Sequence, residues 1–150
     1  MTHIPYPYKH LHSKRYFFVS EGKERIAKVV EFAPFGIDGI MNLCFGDLLP
    51  DNSIDDESSS NNGDIARVLA TVVDILRRFT HENPTVQIYI EGSTELRNKL
   101  YTRILRTYYP VFSKEFFING VIKNDKYVDS IPYDPSADQK YLAFLVKRKS

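Results

Sequence analysis

The chain has 150 residues, 43% of them hydrophobic and 26% charged, and its 20 basic and 19 acidic side chains leave a formal net charge of +1. That is the length of one ordinary globular core, and it carries no bulk field to draw nucleic acid, a membrane surface or an acidic substrate. A lone cysteine, Cys44, cannot close an internal disulfide, so a cytoplasmic setting is expected.

Residues 1–14 hold two prolines and three histidines without periodicity and are expected to form a loosely ordered arm. They lack the apolar run and small-residue cleavage site of a secretory leader. Arg15 to Ser20 is β-branched and aromatic, Glu21-Gly22-Lys23-Glu24 reads as a turn, and in Arg25 to Phe35 the residues Ile26, Lys28, Val30 and Phe32 share one face, so a hairpin is expected. A third strand is expected over Ile40 to Phe45, where Cys44 sits among Met41, Leu43 and Phe45 as a small hydrophobe rather than a nucleophile. Residues 50–63 contain four acids, no base and one aliphatic side chain, and are expected to be a flexible loop. Its acids at 51, 55, 56 and 57 do not alternate as a calcium loop requires, and the sixth-position glycine of such a loop is missing.

From Ile65 the period becomes helical, with Val68, Leu69, Val72, Ile75, Leu76 and Phe79 at i, i+3, i+4 and i+7 spacing, and Asn62 or Asp64 as caps. Its apolar stretch is interrupted by Arg67, Asp74, Arg77 and Arg78, which excludes a bilayer-spanning segment. Val86, Ile88 and Ile90 then alternate in a short strand. Gly92-Ser93-Thr94 turns into a second helix with Leu96, Leu100, Ile104, Leu105 and Tyr108 on its apolar face, and Pro110 is expected to end it. Strands are expected over Phe116 to Lys123, Tyr127 to Ile131 and Tyr141 to Val146. The order βββαβαββ(β) predicts an α+β fold, one domain over residues 15–150, with a mainly antiparallel sheet and two amphipathic helices packed on it. The strand between the helices is the one placed to run parallel to a neighbour.

The sharpest chemical feature is the strand-to-helix turn. The first N–H groups of the helix point outward with positive partial charge, and Arg97 lies one turn in, where its forked donors can reach the same anion. Gly92, Ser93, Thr94 and Arg97 are therefore the candidate ligand residues, for a small anionic ligand; the competing reading is a helix cap and nothing more. Asn61-Asn62-Gly63-Asp64 is a second such junction, read chiefly as a cap because Asp64 favours the helix dipole and repels an anion. Arg97, Lys99, Arg103 and Arg106 place bases on the polar side of the second helix, read as a solvated face, and nucleic-acid binding is disfavoured by the near-neutral chain. His3, His10 and His12 have no Cys or paired acid beside them to complete a tetrahedral set, so no metal site is expected.

Phe45-Gly46-Asp47, Asn61-Asn62-Gly63-Asp64 with Val68-Leu69-Ala70-Thr71-Val72-Val73, Gly92-Ser93-Thr94 with Arg97, Leu100 and Tyr101, and Tyr141-Leu142-Ala143-Phe144-Leu145-Val146-Lys147 together resemble a family of uncharacterised bacterial proteins, a domain of unknown function found mainly in Bacteroidetes. The resemblance runs from about residue 15 to residue 149 and implies no activity. More distantly, the run of helix, strand, helix and strand is similar to the C-terminal half of a GNAT-type acetyltransferase. That likeness implies acetyl-coenzyme A as cofactor and Tyr101 as the acid that protonates the leaving thiolate. The sequence departs from that family in lacking its pyrophosphate loop, where Asn61-Asn62-Gly63-Asp64 stands, and its early helices. A binding or interaction module with no cofactor is the preferred expectation, and a degenerate acyltransferase the alternative.

Overall fold

The computed structural model describes residues 3–12, 14–55 and 62–149. Its chain divides into two compact units, one of Met1–Ala33 with Leu43–Glu82 and the other of Pro34–Asn42 with Asn83–Ser150.

The first unit contains β1 (Tyr8–His12), β2 (Arg15–Glu21), β3 (Arg25–Pro34), the later part of β4 (Ile40–Leu48), the two-residue β5 (Ile54–Asp55) and α1 (Ile65–Glu82). The pairs β1 with β2, β2 with β3 and β4 with β5 are all antiparallel. The alternation read from the sequence is realised along β2, where Tyr16, Phe18 and Ser20 are buried and the residues between them are half-exposed. Across this face lies the apolar stripe of α1, including Val68, Leu69, Ile75, Leu76 and Phe79. Phe32 stacks on Phe79 with ring centres 3.9 Å apart, and Phe18 stacks on Phe45. Two threonines lie within the buried stripe and take their hydroxyls back to the helix: Thr71 donates to the Arg67 carbonyl and Thr80 to that of Leu76. This local bond lets a hydroxyl enter an apolar core.

The stretch expected as a loosely ordered arm instead carries β1. Tyr6 is 4% exposed, its N–H donates to Thr71 Oγ1 at 2.8 Å, and the Tyr8 hydroxyl donates to Asp74. His10 stacks flat on Tyr16, its direct partner on β2, with ring centres 4.3 Å apart. These anchors lie on α1 and β2, far along the chain, so a window of fourteen residues gives no sign of them. Likewise, Ile54–Asp55 pair with Leu48 and Asp47 inside the expected loop 50–63, of which 56–61 lie outside the described residues.

Lys28, on the otherwise apolar face of β3, is 6% exposed and pairs with Asp47 on β4. A buried ammonium is tolerated because the carboxylate is in contact with it; removing either partner leaves an uncompensated charge.

The second unit contains the start of β4, β6 (Gln87–Ile90), α2 (Glu95–Glu115), β7 (Phe116–Lys123), β8 (Val128–Pro132) and β9 (Ala143–Arg148). β6 runs parallel to β4, with Met41 opposite Ile88, and antiparallel to β9, with Val146 opposite Ile88. β7 lies between β9 and β8, antiparallel to both. The fold class is thus α+β with a mostly antiparallel sheet, as expected, and the strand between the helices supplies the parallel pairing. Ile88, Phe112, Phe116, Ile118, Phe144 and Val146 are among the buried side chains of this unit.

Pro110 does not end α2, contrary to expectation; the helix runs on to Glu115 with the proline inside it. Proline removes one helical hydrogen bond, and here the last turn has other holds. Phe112 is buried, and Lys149 donates its N–H to the Glu115 carbonyl at 2.8 Å and its ammonium to that of Ser113.

The turn between β2 and β3 passes directly beneath the entry to α1. A Cβ on Gly22 would stand 1.8 Å from the carbonyl oxygen of Asn62. Gly22→Ala is therefore expected to cost about 3 kcal/mol or more, measured as a lowered urea midpoint with an unchanged slope; a midpoint within experimental scatter of the parent contradicts this packing.

Candidate functional site

α2 begins where β6 has ended and the chain must reverse. Thr94, in extended conformation, is the N-cap, and its Oγ1 accepts the Arg97 N–H at 3.2 Å. Gly92 lies against the first turn so closely that a Cβ there would meet the Asn98 nitrogen at 2.3 Å. Only glycine fits this approach. Ser93 is exposed, and Arg97 is half-buried. The structure thus brings Gly92, Ser93, Thr94 and Arg97 into one turn, as the sequence predicts, with Tyr101 half-buried one turn further along.

Asn98 organises this turn, and sequence reasoning missed it. Its Oδ1 accepts the Gly92 N–H at 3.3 Å and its Nδ2 donates to the Tyr141 carbonyl at 3.1 Å. The available signal was an asparagine in the first turn of a helix, where its side chain normally competes with the helical backbone. Two of the junction's N–H groups, those of Gly92 and Arg97, are therefore engaged by side chains. Two carboxylates flank it: Glu91 accepts from the Tyr89 hydroxyl, and exposed Glu95 lies 3.6 Å from Lys140 Nζ. Burial first, and then Glu91, pushes the Tyr89 phenol above its ordinary range.

Further along α2, Lys99, Arg103 and Arg106 are exposed. Between Glu95 and Glu115 the helix contains no acid, so Arg103 and Arg106 have no oppositely charged residue three or four positions away to pair with along the helix.

The second junction is a fastening. Asn61 lies outside the described residues. Asn62 is 6% exposed, and its side chain is fully engaged. Oδ1 accepts the Glu24 N–H at 2.8 Å, while Nδ2 donates to the Glu24 carbonyl at 2.7 Å and to Ser20 Oγ at 3.0 Å. Its own carbonyl accepts the Lys23 N–H. Gly63 supplies the left-handed residue, φ 82°, that turns the chain into α1. One carboxylate oxygen of Asp64 accepts from both the Tyr6 and Ser20 hydroxyls, at 2.6 and 2.5 Å.

The histidines do not converge: His10 packs in the β1–β2 layer, while His3 and His12 are exposed. Among the described residues no group of three His, Cys, Asp or Glu side chains is placed to hold a metal ion, and no helix is long and apolar enough to cross a membrane. Cys44 is half-buried in β4.

An α+β fold whose two helix entries are built from Asn-, Gly- and Thr-bearing turns is the class that these features define. Residues 2–149 match the model of a family of unknown function, DUF6934, and the chain belongs to that family. No curated protein and no solved structure matches it.

Thr94→Ala is expected to lower stability by about 1 kcal/mol through loss of the cap, and Asn98→Ala by about 2 kcal/mol, because it deserts two backbone groups at once. Chemical denaturation of both variants checks the order. An Asn98→Ala penalty smaller than that of Thr94→Ala contradicts the role given to Asn98.

Proposed function

We propose that the protein is a binding or interaction module of the bacterial cytosol that takes a small anionic ligand at the start of α2, around Gly92, Ser93, Thr94 and Arg97. The observation that carries this reading is the charge pattern of α2: Arg97, Lys99, Arg103 and Arg106 follow one another with no acid between Glu95 and Glu115. The positive end of the helix dipole lies at the same end as Arg97. A cationic row of this kind raises the local concentration of anions and steers them inward. Binding is preferred to catalysis because Asn98 and Thr94 at this junction serve to hold the turn, accepting the N–H groups of Gly92 and Arg97. The single cysteine agrees with a reducing compartment.

Acyl transfer from acetyl-coenzyme A has less to support it. A cleft beside β6 requires a splayed strand pair, whereas β6 is hydrogen-bonded through residues 87–89 to β4 on one side and β9 on the other.

The test is a thermal-shift screen with inorganic phosphate, nucleotides and coenzyme A. A ligand at 100 times its dissociation constant stabilises by about 2.7 kcal/mol, and Arg97→Ala is expected to abolish that shift. A ligand shift that survives Arg97→Ala unchanged rules out this location. Acetyl-coenzyme A turnover that is lost in Tyr101→Phe would establish the enzyme instead.

A further inference from the structure

Tyr133 follows β8 in the second unit and is 5% exposed. It is surrounded by Tyr109 of α2 at 5.6 Å, Tyr141 at 5.2 Å and Phe144 at 5.6 Å between ring centres. A phenol buried this deeply ordinarily finds a partner for its hydroxyl, yet the Tyr133 oxygen has none in hydrogen-bonding geometry among the described residues. The group of α2 that reaches toward the phenol oxygen as a donor, short of hydrogen-bonding geometry, is Arg106, three residues before Tyr109 and exposed.

A guanidinium only donates. However Arg106 turns, it can supply the phenol oxygen with a proton but cannot accept the proton that the phenol itself carries. The neighbouring carboxylate of Asp134, whose Oδ1 accepts the Ser136 N–H and hydroxyl at 2.9 and 2.7 Å, is not in hydrogen-bonding geometry with the phenol. What satisfies a hydroxyl and a guanidinium together is an atom set that accepts from both, and an oxyanion does so with charge-assisted bonds.

We propose that Tyr133 and Arg106 form an oxyanion subsite, for the phosphate or carboxylate group of a ligand. Arg106 covers the buried hydroxyl, and rotation of its exposed side chain admits the oxyanion, which then bridges the two donors. The subsite lies about 13 Å along α2 from Arg97 at the helical rise per residue, so it does not depend on the N-terminal turn.

The experiment titrates inorganic phosphate and, separately, acetate into the full chain, reading binding by calorimetry and the melting temperature by thermal shift. Parent, Tyr133→Phe, Arg106→Gln and Arg97→Ala proteins are compared. Tyr133→Phe is expected to melt no lower than the parent without ligand, since the hydroxyl it removes carries a proton that no group among the described residues accepts. Both Tyr133→Phe and Arg106→Gln are expected to bind at least tenfold more weakly, while Arg97→Ala retains this affinity. Preference for phosphate over acetate, or the reverse, identifies the source of the oxyanion. The proposal is overturned by a destabilised Tyr133→Phe, by affinity unchanged in Tyr133→Phe and Arg106→Gln, or by a parent that binds neither anion. Binding lost in Arg97→Ala but kept in the other two overturns it in favour of the helix start.

Discussion

Asn62 is enclosed in protein with its side-chain amide saturated by Glu24 and Ser20, and the first unit is organised around that arrangement. An unpaired amide in such a place would cost several kcal/mol relative to water, so the position is stable only if every bond is made. Making them all fixes three segments together: the β2–β3 turn beneath the α1 entry, Ser20 at the end of its strand, and Tyr6 through their shared acceptor Asp64. The absence of a side chain at Gly22 lets the two backbones meet closely enough for these bonds. Arg67 then closes over Tyr6, its guanidinium 3.9 Å from the ring centre, and donates to the Ile4 carbonyl. The hydrophobic stripe of α1 supplies the bulk of the attraction to the sheet, but it is non-directional. The polar fastening selects where along that stripe the helix starts.

The same device appears in the second unit with Asn98 in the central role. Again an asparagine amide ties a glycine-bearing turn to a helix start and reaches a distant carbonyl, that of Tyr141. The two junctions differ in charge. Asp64 places a carboxylate inside the first, where it accepts from two hydroxyls; the second opens onto a helix whose interior holds bases and no acid. That all the charged side chains between Glu95 and Glu115 are basic, more than the geometry of the turns, is what directs the functional reading to α2.

The sequence made both helices, the hairpin and the strand between the helices legible because their apolar periods are long or clean, and Thr94 was legible as a cap because capping is local. What escaped was nonlocal. β1 is a strand because Tyr6, Tyr8 and His10 find partners on β2 and α1, and β5 because it lies beside the end of β4; neither carries enough period of its own. Asn98 was passed over since its partners stand at positions 92 and 141. Lys28 was read only as one of a face with Ile26, Val30 and Phe32, because Asp47, the carboxylate that pairs with it, stands 19 residues further on. Pro110 was misjudged by a rule that is sound for isolated helices and yields here to the contacts of Phe112 and Lys149. Tyr133 had no signal in the chain, because an orphaned hydroxyl is a property of its surroundings.

The proline in α2 also bears on how that helix breathes. Its missing N–H takes away the helical bond to the Arg106 carbonyl, one turn back, while two carbonyls at the helix end, where no further helical N–H follows, are taken up by Lys149, immediately after β9. The final turn of α2 and the end of β9 therefore open as one cooperative segment rather than fraying separately. Amide exchange in the two should be correlated in rate although about thirty-five residues of chain separate them, and loosening at the strand end would be felt first in the helix that carries the cationic row.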